Sequence, residues 1–345
     1  VANPSRHLIV ISAPMYKGDR LAQWAEALLK KDGFSEAEVA SYREWAQRMD
    51  FQVLYDPYEE RSNEFDRLIR SPDRAAFIRD YPFRIYPVTD DAPFFFQFYR
   101  WGSLWRPTAQ GTGGVGMERI PLGIAVLLLS LLQIALLATA CIIGPLLPRG
   151  AQLRTVPHKL SLLVYFAALG VGFISIEVAM LQKLTVFLGG PVYAMAITLF
   201  AVLAFSGLGS LWAQRIRRPI DAALPRIIGA LVVVVVLEAL FLRYGLPSLM
   251  FLPHWARCVV AAIAIFPAAV LMGMPFPTGL RVAQRIHPAI VPWAWGVNAL
   301  TTTLGTMICV IVSMEAGFTL TLLGAGLIYV IGLVAMMPAA RAVSA

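Results

Sequence analysis

Long apolar runs fill the chain from residue 120 onward, whereas residues 1–119 mix apolar and charged positions on a short scale. A helix that crosses the hydrocarbon of a bilayer needs about 20 predominantly apolar residues. Runs of that kind fall at 120–147, 160–182, 191–213, 227–250, 258–280, 292–314 and 318–340, the fourth being the weakest because it carries Glu238 and Arg243. Unpaired backbone groups are not tolerated in lipid, so open-chain spans of this composition are helices. The pattern predicts an all-α polytopic membrane bundle of about seven transmembrane helices. Gly170 with Gly172, Gly207 with Gly209, and Ser206 with Ser210 mark faces where helix backbones can approach closely.

The first 100 residues have shorter periods. Residues 8–12 read as a buried strand, 19–31 as a helix, and 35–49 as a second helix opened by a capping box of Ser35 and Glu38. A strand at 51–55 and helical pieces at 63–70 and 72–80 follow, and 86–98 reads as a turn feeding an aromatic strand. This is an α/β pattern. Two or three strands cannot cover both faces of a parallel sheet, so more of the domain is expected upstream. The opening of the chain on an apolar run, with no basic leader or cleavage site, points the same way. The expected organisation is an α/β part at 1–100, a linker at 101–119 and a transmembrane part at 120–345.

Composition sharpens the class. Only 14% of residues are charged, against roughly one quarter in soluble domains, which excludes an ordinary soluble enzyme. The net charge of +8 would suit a nucleic-acid surface, but the basic residues of the second region lie in short loops between apolar runs, the usual membrane-flank pattern. The expected partner is therefore the lipid bilayer and not nucleic acid. With seven spans, Arg119, Lys183, Arg243 and Arg257 fall on one side, and Arg149, Arg154, Lys159, Arg215, Arg217, Arg218, Arg226, Arg281, Arg285 and Arg341 on the other. The richer side belongs in the cytoplasm, which places the first region outside. Cys141, Cys258 and Cys309 lie in or beside apolar runs without metal-like spacing and read as packing residues.

Four stretches carry a family resemblance: Thr89-Asp90-Asp91-Ala92-Pro93-Phe94-Phe95-Phe96; Phe173 to Glu177 with Leu181 to Leu184 and Gly189 to Tyr193; Gly273-Met274-Pro275-Phe276-Pro277; and Trp295 to Gly305. With these the chain resembles membrane-fused spermidine synthase-like proteins, in which a Rossmann-type S-adenosylmethionine domain adjoins major-facilitator-like helices. The resemblance makes the first region the C-terminal remnant of a Rossmann-like domain. It implies an upstream half carrying the glycine-rich loop and catalytic acid of an aminopropyl- or methyltransferase. No cofactor is expected on this stretch itself; S-adenosylmethionine or its decarboxylated form would bind the upstream half. The expected location is a bacterial inner (plasma) membrane. Transferase chemistry with this cofactor needs the cytosol, whereas the charge count puts the first region outside. Either one apolar run does not span, or the first region has lost or changed its chemistry.

Gly111-Thr112-Gly113-Gly114-Val115-Gly116 spells a dinucleotide loop, but no strand precedes it and no ribose-binding acid follows about 20 residues on, so it reads as a linker. Glu177, deep in the second run, is either a solute or ion site or a hydrogen-bonded structural carboxyl. Lys183 is expected to snorkel to the interface. Asn298, Thr301, Thr302 and Thr306 line one helical face, as interhelical glue or as a solute path. Pro275 and Pro277 can break a helix of the kind that transporters break near midplane sites. Asp90 and Asp91 can meet a substrate amine or simply form a turn. His7, His158, His254 and His287 are scattered, and no metal site is expected. The readings are a transferase's membrane anchor, a transporter half, or a scaffold.

Overall fold

The computed structural model describes residues 4–17, 20–101, 122–216 and 219–344. It forms two compact units, one of residues 1–87 and 95–127, the other of residues 88–94 and 128–345.

In the first unit, β1 (Leu8–Lys17) lies between β2 (Arg20–Leu29) and β3 (Gln52–Tyr55), antiparallel to both. Alternation along β1 sends Ile9 and Ile11 against Val39 of α1 (Glu36–Arg48), and Val10 against Leu54 and Tyr55 on the opposite face. Ile69 of α2 (Glu64–Arg70) packs on that second face, and α3 (Arg74–Asp80) follows. The capping box that opens α1 has the expected form: the Ser35 hydroxyl accepts from the Glu38 amide, and the Glu38 carboxylate accepts from the Ser35 amide. Ser35→Ala should lower the stability of this unit by about 1 kcal/mol, readable as a lower denaturant midpoint at unchanged slope.

Three expectations for this region are corrected. Residues 20–29 form strand β2 and not a helix, because pairing with β1 from Leu8↔Leu29 to Lys17↔Arg20 outweighs the helical periodicity of the stretch. The sheet is antiparallel, where a parallel one was expected. The segment after Thr89 forms no strand among the described residues; only an isolated bridge joins Thr89 to Ala92, and Asp91 spends its backbone carbonyl on the Phe318 amide. The glycine-rich stretch 111–116 lies outside the described residues.

Six stretches among the described residues are long and apolar enough to cross a membrane: Gly123–Pro148, which begins in the first unit, and Lys159–Leu188, Pro191–Gln214, Ile220–Leu249, His254–Ile286 and Pro288–Val343 in the second. They mark a multi-pass membrane protein. Their helices are α4 (Leu122–Ala138), α6 (Lys159–Leu188), α7 (Pro191–Gln214), α8 (Ile220–Leu240), α9 (His254–Gly273), α10 (Pro275–Ile286) and α11 (Val291–Ser344), with a short α5 (Gly150–Arg154) between the first two. The weak fourth run begins earlier than expected, at Ile220, and reaches Leu249 by relaxing after Leu240 into a wide and then a tight turn.

The last two apolar runs share α11, which departs from helical geometry at Gly317 (φ 80, ψ 163). Gly317 turns the chain back on itself. The Ser313 and Thr321 hydroxyls are hydrogen-bonded at 2.9 Å, whereas residues eight apart in a continuous helix are separated by about 12 Å. Both limbs lie on α6. The first runs in the same direction, Asn298 beside Phe166 and Cys309 beside Ser175; the second returns, Tyr329 beside Gly172 and Gly332 beside Ala168. Only glycine adopts this φ without strain, and a Cβ there would also stand 2.7 Å from Asp91 Oδ2.

Candidate functional site

The central feature of the helical unit is the interruption between α9 and α10 at Met274. Pro275 and Pro277 lack amide protons, so the regular ladder cannot pass through them. Met274 donates instead to the Leu271 carbonyl. The Pro275 carbonyl accepts a 2.7 Å hydrogen bond from the buried Tyr165 hydroxyl of α6. The break is thus held open by a specific partner. Phe276 packs edge-on against Phe166 and Trp295, at centroid distances of 5.3 and 4.5 Å. α7 approaches so closely that a Cβ on Gly273 would lie 2.0 Å from the Ser206 carbonyl oxygen.

Beside the break lies a cavity of about 410 Å³. Its polar lining comes from Ser206, Ser210, Asn298, Thr302 and Tyr329, its apolar lining from Leu169, Phe173, Met272 and Phe276. Leu203 and Gly207, both exposed, border it as well. Neutral hydrogen-bonding groups among aromatic walls suit a small solute with donors and apolar stem. Glu177 is one helical turn beyond Phe173 on the same stripe of α6 as Leu169 and Phe173. It is half-buried, and among the described residues its carboxyl has no hydrogen bond or ion pair.

The polar face of α11 divides by role. Asn298 donates across to the Phe166 carbonyl at 3.1 Å, joining α11 to α6, and also lines the cavity. Thr301, Thr302 and Thr306 donate to carbonyls of their own helix. Thr301 and the Asn298 carbonyl fill the space a side chain at Gly170 would need. Thr301 serves the helix contact, Thr302 also reaches the cavity, and the hydrogen bond of Thr306 stays within α11.

A second polar cluster ties residues 88–94 to the helices. Thr89 and Ala92 close a turn in which the Ala92 amide donates to the Thr89 carbonyl at 2.9 Å. Asp91 Oδ1 accepts from the amide and hydroxyl of Thr319, at 2.9 and 2.7 Å, and pairs with Lys183 of α6. Asp91 therefore caps, from a distant part of the chain, the amides left unsatisfied where the second limb of α11 begins. Burial pushes the Asp91 carboxyl up, but Lys183, the Thr319 hydroxyl and the Thr319 amide outweigh it and hold the group below its ordinary range. Lys183 does not snorkel as expected, since its side chain is 12% exposed and engaged with Asp91. Asp90 is exposed and, with Arg243, borders a recess of about 470 Å³ next to this cluster.

No protein-family model, curated protein or solved structure matches the chain. The site therefore rests on its own geometry.

Two features escaped the sequence reading. The Asp91–Lys183 pair spans distant positions, and no local pattern announces it. Glu238, which in the sequence only weakens the fourth run, is buried at 6% exposure and accepts a 3.3 Å hydrogen bond from the Ala268 amide of α9. The signal for it was Pro267, which disturbs the α9 ladder one residue earlier. Among the described residues no three His, Cys, Asp or Glu side chains gather as metal ligands.

Proposed function

We propose that the helical unit is a solute-binding half of a membrane transporter, built into a spermidine synthase-like membrane protein. The observation that carries this is the α9–α10 interruption at Met274 beside a polar cavity. Discontinuous helices at the interface between two halves are how secondary transporters form solute sites in the bilayer. Exposed Leu203 and Gly207 mark the open side of the cavity, where a second bundle would close it. With α11 counted as two crossings, the chain spans seven times and its basic end lies in the cytoplasm. Glu177 supplies a charge for a cationic solute, and the resemblance names polyamines as the class to try first.

The test is uptake of radiolabelled spermidine into proteoliposomes containing the full-length protein. Glu177→Gln should lower the initial rate at least about tenfold, equivalent to about 1.4 kcal/mol of lost solute interaction. Equal rates for the variant and the parent would sink the proposal.

A second reading, a transferase's membrane anchor, is favoured by one observation: Asp91 of the Thr89–Phe96 motif is used to fasten its segment to α6 and α11. In this reading the motif is a mechanical tie, and S-adenosylmethionine or its decarboxylated form binds an upstream half. Calorimetry on protein that includes that half should detect one of the two cofactors; binding of neither would remove this reading.

A further inference from the structure

Glu238 belongs to neither the cavity nor the Asp91 cluster. It lies on α8 in a groove of about 430 Å³ shared with α9, walled by Val234, Leu237, Phe241, Val260, Ile263 and Pro267. Leu237 and Ile263 are 59% and 67% exposed, so the groove opens on the lipid-facing side of these two helices. Oε1 of Glu238 is satisfied by the Ala268 amide, whereas Oε2 is buried without a partner. A buried carboxyl oxygen left unpaired carries an uncompensated desolvation penalty, which a bound donor would relieve. No basic side chain borders the groove.

We propose that this groove binds an amphiphilic primary amine from the membrane phase, its ammonium group held by Glu238 Oε2 and its alkyl chain lying along the apolar walls. An ammonium supplies the charge and donors that the carboxyl lacks. Walls without hydrogen-bonding groups select an alkyl chain over a free polyamine, which separates this site from the polar cavity at Met274.

The test is chemical modification of the full chain in phosphatidylcholine nanodiscs by dicyclohexylcarbodiimide, which partitions into lipid and adds to carboxyl groups, with the adduct located by tandem mass spectrometry. Glu238 should be modified, and the water-soluble ethyl-dimethylaminopropyl carbodiimide should leave it intact. Dodecylamine at about ten times its dissociation constant should lower the N-acylurea adduct roughly tenfold by mass action, any activated carboxyl beside the bound amine passing to the dodecylamide with release of dicyclohexylurea, while dodecanol should not. Repeating the assay in nanodiscs containing phosphatidylethanolamine distinguishes the source: protection there identifies an aminophospholipid, and its absence a free long-chain amine. E238Q should carry no adduct in that peptide. Failure of dicyclohexylcarbodiimide to modify Glu238 in the folded protein, or modification indifferent to dodecylamine, would overturn the proposal. Neither result bears on spermidine uptake, so the two proposals fail separately.

Discussion

Asp91→Ala should destabilise the helical unit by about 2–4 kcal/mol, the combined effect of a lost helix cap and of leaving Lys183 without its partner in a site where only 12% of its side chain is exposed. The expected readout is a lower melting temperature in detergent, with faster proteolysis near Gly317, where the second limb of α11 begins. Lys183→Met should cost less, because Asp91 keeps both Thr319 donors. The double variant should be more stable than the sum of the single losses, since removing both charges leaves neither unpaired. Additive losses would mean that the pair is not coupled. The pH dependence has a definite sign. The Asp91 carboxyl is held below its ordinary range when folded, so its contribution is complete above about pH 4, the unfolded range for aspartate, and fades as pH falls through the folded value. The gap between parent and Asp91→Ala should therefore narrow on acidification.

Gly209→Val should be more damaging still. A Cβ at Gly209 would stand 1.9 Å from the Val270 carbonyl oxygen, which is backbone and cannot swing aside. With the reciprocal approach of Gly273 to Ser206, this position fixes how closely α7 and α9 run past the break. The expected loss is about 3 kcal/mol or more, seen as poor recovery of monodisperse protein and a lower melting temperature. Gly207→Ala is the matched comparison. Nothing lies within 4 Å of a Cβ there, so that substitution should be close to neutral. Equal damage from both would show that the damage does not come from contact between α7 and α9.

The two glycines illustrate what a sequence can carry. Both belong to a small-residue pattern that correctly marks α7 as a packing helix, but which glycine meets a neighbour depends on the helix's rotation, and that is set by the whole bundle. The apolar runs were legible because lipid imposes length and composition on each span independently of tertiary contacts. The break at Gly273 to Pro277 was legible because proline acts on its own helix. The capping box at Ser35 is equally local. Where partners lie far apart along the chain, sequence reasoning failed. Residues 20–29 carry a helical period, yet their ten-residue pairing with β1 makes them a strand. The aromatic composition of the stretch after Thr89 suits a strand, whereas Asp91 accepts hydrogen bonds from the Phe318 and Thr319 amides of α11. Of the candidate residues, Asn298 and Thr302 come together at the cavity with Ser206, Ser210 and Tyr329, a grouping that requires α6, α7, α9 and α11 to be assembled. Thr301, one position from Thr302, turns to Gly170 instead.

The central claim is that the space beside Met274 is a solute site and not a packing defect. Accessibility of Thr302 tests it most directly. In full-length protein with Cys141, Cys258 and Cys309 replaced by alanine or serine, Thr302→Cys should react in membranes with a small cationic methanethiosulfonate reagent, and spermidine should slow that reaction in proportion to its occupancy. A cysteine at 302 that stays inert in the folded protein and reacts only after denaturation, or one whose labelling is unaffected by spermidine, norspermidine and putrescine alike, would contradict the account.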